Sequence, residues 1–101
     1  MKNVARIALA TTAAVLAAVP VLAYSGARYA SQAKVTLPQA RAIAVKTYPG
    51  KVVDFELEKE KGGSGLRYSF VIQHGSVKHE VGVDARSGKV LENIVEGANA
   101  D

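Results

Sequence analysis

The 101-residue sequence contains no cysteine, which excludes disulfides and lipid modification of an N-terminal cysteine. It has no twin-arginine pair and no internal repeat. Residues Ile7 to Ala23 carry no charged side chain, and the chain holds no other apolar run of that length. A nucleophile elbow and a phosphate loop are both absent. Gly62-Gly63-Ser64-Gly65 has the spacing of neither, and no Lys-Ser or Lys-Thr pair follows it, so it reads as a flexible connection. His79-Glu80 starts like a zinc-protease helix motif, but Val83 occupies the second histidine position and the segment reads as strand. No nucleophile–base set is visible, and the chain is expected not to be an enzyme and to need no cofactor.

What is present begins with an export signal. Lys2 and Arg6 precede the uncharged run, Pro20 breaks it, and Val21-Leu22-Ala23 places small residues where a signal peptidase reads. The run is short and rich in Ala and Thr for a membrane span, which takes about 20 apolar residues. Residues 1–23 are therefore expected to be a signal peptide, with the product periplasmic or extracellular and the membrane met only during export. Its removal leaves 78 residues with eleven basic and nine acidic side chains, a net charge of +2 rather than the full chain's +4. Such a balance does not support a nucleic-acid surface. One small domain, a monomer resting on its apolar core alone, is expected to have a stability of only a few kcal/mol.

Residues 24–34 read as a polar, flexible leader. Thr36-Leu37-Pro38-Gln39 has the form of a capping box, with Thr36 as N-cap, Gln39 reaching back and Pro38 tolerated in the first turn. Leu37, Ala40, Ala44 and Tyr48 then share one helical stripe, and Pro49-Gly50 ends the helix. Alanines at 40 and 44 imply close approach to whatever the helix covers. Period-two alternation follows: Val53, Phe55 and Leu57 opposite Asp54, Glu56 and Glu58; then Tyr68, Phe70 and Ile72; then Val77, His79, Val81 and Val83. The hairpin loop is His74-Gly75 or Gly75-Ser76, and either places the same side chains inward. Asp84 to Gly88 forms a tight turn: Asp84 accepts from N–H groups two or three residues on, and Gly88 supplies a left-handed backbone. Val90 and Leu91 open a short last strand, Val95 extends it, and 96–101 is a polar tail. The reading is α+β, one helix packed on a three- to four-stranded antiparallel sheet in two layers.

The ordered set of features resembles the PepSY domain family. It comprises Leu37 to Ala44 closed by Tyr48-Pro49-Gly50, the Val and acidic alternation of Val52 to Glu58, the Tyr-led strand Tyr68 to Ile72, and Val83-Asp84-Ala85-Arg86-Ser87-Gly88-Lys89-Val90. The resemblance covers about Val35 to Leu91, within a domain read as 35–95. It implies a non-catalytic protein- or peptide-binding module that restrains or modulates a peptidase, or a peptidase precursor, in the cell envelope. Within these 101 residues no protease follows the domain, so such restraint is expected in trans.

Two other clusters invite chemistry. His74 and His79 fall on one face near one hairpin end, about 7–8 Å apart as a diagonal pair, and are the weak candidates for a metal. Two ligands make a poor zinc site, and no third is evident on that face. Asp54, Glu56 and Glu58 form an acidic stripe, which Arg67 and Lys78 on neighbouring strands are expected to turn into a solvated, mixed-charge surface. These clusters carry the alternative function, a metal- or small-ligand-binding envelope protein.

Overall fold

In a computed structural model, residues 24–97 are described. The expected signal peptide (1–23) and the end of the polar tail (98–101) lie outside the described residues. A 3-10 helix, Ala27–Gln32, precedes helix α1, Leu37–Thr47, and four strands follow: β1 Lys51–Lys59, β2 Leu66–His74, β3 Val77–Asp84 and β4 Val90–Val95. The sheet is antiparallel in the order β1-β2-β3-β4, so each strand pairs with its neighbour in sequence. This is the expected two-layer α+β architecture, with the full four strands.

Both turns of the capping box are present. The Thr36 N–H donates to Gln39 Oε1 (2.9 Å), and the Gln39 N–H donates to Thr36 Oγ1 (3.2 Å). Ala40 and Ala44 are fully buried, together with Leu37, beneath a helix that lies over β2, β3 and β4. The sheet supplies Leu57, Leu66, Tyr68, Phe70, Ile72, Val81 and Val83, and Ala85 of the following turn completes the core. The Tyr68 hydroxyl donates to the Val35 carbonyl (2.8 Å), and burial, with Tyr24 nearby, pushes its pKa up to about 12.

Two local expectations need correction, and one left open is resolved. The first concerns β1, whose register with β2 shifts between Val52 and Asp54. This bulge turns Val53 outward, 41% exposed, and brings Val52 to the core instead, while Phe55 and Leu57 face inward as read. A single extra residue inverts the alternation before it, which a period-two pattern does not reveal. Of the two hairpin loops the sequence allowed, the structure has Gly75-Ser76, with His74 paired to Val77. That end is loosely covered, and Val77 is 44% exposed.

The second correction is the larger. Residues 24–34, expected as a flexible leader, are held in the structure: the first of them lie along β1, and at the other end the Lys34 N–H donates to the Ala85 carbonyl (2.9 Å). The Leu57 N–H donates to the Ser25 carbonyl (3.0 Å), in a parallel bridge between Ser25 and Glu56. Gly26 adopts φ +85°, and a Cβ there would collide with the Leu57 carbonyl oxygen, so only glycine lets the chain pass this close. Tyr24 stacks obliquely on Phe55 (5.5 Å between centroids), and Phe55 meets Phe70 of the core (6.3 Å). The helix is too short to cover β1, and this segment covers it instead.

Candidate functional site: two sheet edges, a latch and an acidic face

A four-stranded open sheet has two edges, and here they differ. On β1 the Glu60 N–H donates to Gly65 C=O (3.1 Å), which fixes the phase of the ladder and leaves the N–H groups of Leu57 and Phe55 pointing away from β2. Ser25 takes the first, and the Asp54 carboxylate takes the second (2.8 Å). With the bulge at Val53, three separate devices blunt this edge.

The β4 edge has no such cover among the described residues. The Glu96 N–H donates to Lys78 C=O (2.8 Å), so Glu80 and Ile94, and Gly82 and Glu92, are the hydrogen-bonded pairs. Asn93 and Val95 fall between them and turn their N–H and C=O groups outward. Val95 and Val90 are also 49% and 41% exposed. This edge carries neither proline nor lysine between Val90 and Val95.

The Asp84 turn does more than was read from it. Gly88 is left-handed (φ +81°), as expected, and its N–H donates to the Asp84 carbonyl (2.9 Å). The Asp84 side chain, 3% exposed, also accepts from the hydroxyls of Ser64 and Ser87 and the N–H groups of Ser64 and Arg86. Burial by itself would raise its pKa; these donors outweigh that and hold the carboxyl below its ordinary value. Arg86 donates to the Ser64 and Gln32 carbonyls (3.0 and 3.1 Å). Gly62-Gly63-Ser64-Gly65, expected as a flexible connection, is therefore latched to a turn twenty residues away in sequence. The expected end of the helix at Pro49-Gly50 is present too. Gly50 is there for space, since a Cβ would meet the Gln73 carbonyl.

His74 and His79 share a face, as read, but other groups occupy them. His74 Nδ1 lies 3.0 Å from the Pro49 carbonyl and His79 Nδ1 lies 2.7 Å from Asn93 Oδ1. Tyr48 stacks flat on the His79 ring, with centroids 3.7 Å apart and planes 3° apart. Among the described residues no three His, Asp or Glu side chains converge as a metal site.

The sheet face away from α1 is acidic. Asp54, Glu56, Ser69, Val71, Glu80 and Glu96 surround a shallow depression of about 220 Å³. Arg67 crosses this face over Gly82, where the missing Cβ makes room, and pairs with Glu92 (3.4 Å). Lys78 stands at the hairpin end, opposite Gln73. Burial first, and then Glu58, Asp54 and Glu80, hold the Glu56 carboxyl above its ordinary value. Glu80 is raised likewise by burial and by Glu92, Glu58 and Glu96, with Arg67 offsetting part. The charge mixture expected here is thus uneven, with acid in the middle and base at the ends.

A short helix over a four-stranded antiparallel meander, its first edge covered by the segment that precedes the helix, defines a small α+β domain. The family model described as peptidase propeptide and YPEB domain, PepSY, matches residues 34–93. The chain belongs to the PepSY family. Domains of this family are usually non-catalytic, and no catalytic family matches. Comparisons with curated proteins and with solved structures gave no match.

Proposed function

We infer that this domain acts by non-covalent recognition of another protein in the cell envelope, with a peptidase or its precursor as the partner. The open β4 edge carries this reading. An extended segment can add to such an edge through main-chain hydrogen bonds, while alternate side chains supply selectivity. The family description, which names peptidase propeptides, supports the choice of partner. A domain of this size favours a modest, reversible interface over an obligate one.

The test joins cross-linking in intact cells, with identification of the captured protein, to assays of the purified protein against thermolysin-like metallopeptidases. A specific envelope peptidase captured and slowed supports the reading. No specific partner and no effect on any envelope peptidase would sink it, and a tight Zn²⁺ or Ca²⁺ isotherm in the same preparation would favour ligand binding instead. Export is part of the proposal: intact-mass measurement of envelope protein should find a chain starting near Tyr24, and a full-length membrane-embedded species would overturn it.

A further inference from the structure

We propose that the β4 edge takes an extended segment with basic side chains at alternate positions, and not a second copy of this chain. The inference rests on the protein-recognition reading and specifies its ligand. The site is the edge itself, where Asn93 and Val95 turn outward N–H and C=O groups that pair with nothing among the described residues. The occupant is chosen by the two rows of side chains that flank it.

On the face turned away from α1, Glu92, Ile94 and Glu96 follow one another along the edge, with Glu80 paired to Ile94 on the next strand. A strand laid beside β4 would set every second side chain against this row. Lysine or arginine there meets Glu92 and Glu96 as cross-strand neighbours, and opposite charges in such positions stabilise a ladder. On the helix side Val95 is 49% exposed, so the intervening residues of the added strand are apolar. The pattern that fits is basic alternating with apolar.

Self-pairing fails on the same geometry. Two copies joined antiparallel through β4 bring their acidic faces side by side, and like charges placed directly across or diagonally destabilise the ladder. Two basic residues among those described stand by this row: Arg67, which Glu92 engages at 3.4 Å, and Lys78, opposite Glu96 at the hairpin end; with Glu80 and Glu56 on the same face the surface stays acidic.

The experiment uses ¹⁵N-labelled protein purified as the cell produces it and two short capped peptides, one alternating lysine with valine and one alternating glutamate with valine. At a concentration tenfold above its Kd, the lysine peptide should slow amide exchange at Asn93 and Val95 by about tenfold. The glutamate peptide should leave both unchanged, and added salt should weaken the lysine peptide's effect. Val95→Pro removes an outward N–H without touching the β3 ladder and should abolish protection. Glu96→Lys, at an exposed position, should weaken the lysine peptide while leaving the fold's spectrum intact. Equal protection by both peptides overturns the proposal, as does protection at Phe55 and Leu57 instead. Concentration-dependent protection of Asn93 and Val95 without peptide would assign the edge to a second copy and also overturn it. In cells, a partner photo-cross-linked from position 46 but never from position 93 overturns the edge assignment and leaves protein recognition standing. Peptide protection with no cellular partner at any position supports the edge chemistry and overturns the recognition reading alone.

Discussion

Replacing Asp84 by asparagine probes the latch most directly. The carboxylate accepts four hydrogen bonds: from the Ser64 N–H (3.3 Å) and hydroxyl, from the Ser87 hydroxyl (2.8 Å) and from the Arg86 N–H (3.4 Å). A hydrogen bond to a charged group contributes about 1.5–3 kcal/mol, so four would sum beyond the stability of a domain this small. They do not sum, because Ser64 and Ser87 are exposed and their hydroxyls can turn to water or accept from the new amide. What asparagine cannot replace is the charge and the oxygen that accepts from one of the two backbone N–H groups, which sets the expected cost at about 1–3 kcal/mol. With a urea m-value near 1 kcal/mol/M, the midpoint should fall by about 1–3 M. The pH dependence gives an independent check. The folded-state pKa of Asp84 lies below its ordinary 3.8, so its stabilisation is complete above that value and is lost as pH falls through the folded pKa. The gap between wild type and Asp84→Asn should therefore close in strong acid. Amide exchange at Gly63 and Gly65 should quicken in the variant at neutral pH. If Asp84→Asn leaves the fold poorly populated, Ser64→Ala should show the same direction at smaller size. A midpoint no different from that of Glu60→Gln, or a gap that fails to narrow at all as the pH is taken progressively below 3.8, would refute the latch.

Ala44→Leu forces extra methylenes into a fully buried helix–sheet contact and should cost about 1–3 kcal/mol, whereas Ala42→Leu on the exposed face should change the urea midpoint little. Gly26→Ala places a Cβ against the Leu57 carbonyl at positive φ; with an intrinsic penalty of about 1–2 kcal/mol, it should release the Ser25–Leu57 bond, seen as faster exchange at the Leu57 amide alone among the inner β1 positions. Glu56→Gln should stabilise at neutral pH, because the folded-state pKa of Glu56 is raised: the ionised form opposes folding above that pKa, and the penalty fades as pH falls toward the ordinary 4.5. Paired urea titrations at pH 7 and pH 4 check this, and a gain of equal size at both would contradict it.

Helix α1 was legible almost to the residue, because Thr36, Gln39 and Pro49 act on neighbours within a few positions and the alanine stripe follows from helical period alone. Strands β2 and β3 were legible for the same reason. Val53 was misread because a bulge depends on how two strands meet, and nothing within Val52 to Glu58 breaks the alternation. The N-terminal segment was misread because its composition is that of a mobile leader; its anchor is one positive-φ glycine, Gly26, and an edge that the short helix leaves bare. Ser64 was lost in a glycine-rich stretch whose partner, Asp84, lies far along the chain. The histidines were read on the correct face, but their engagement by Asn93 and Pro49 required the tertiary structure. That a first or last strand offers an edge follows from the meander, but which of the two is open could not be read, since which main-chain groups face outward is settled by ladder phase and not by side-chain type.

The course of the first described residues has a practical bearing on how this protein is displayed. Tyr24 and Ser25 enter along the outer side of β1, whereas β4 lies at the opposite edge, three strand spacings or about 14 Å beyond β1. Any attachment made ahead of Tyr24, whether an affinity handle, a surface linkage or a fused domain, starts from the sealed side and leaves β4 facing the medium. An attachment after Gly97 starts only two residues beyond Val95 and crowds the edge that a partner would use. Immobilised through its front, the protein can be interrogated for ligands; immobilised through its back, it would look inert.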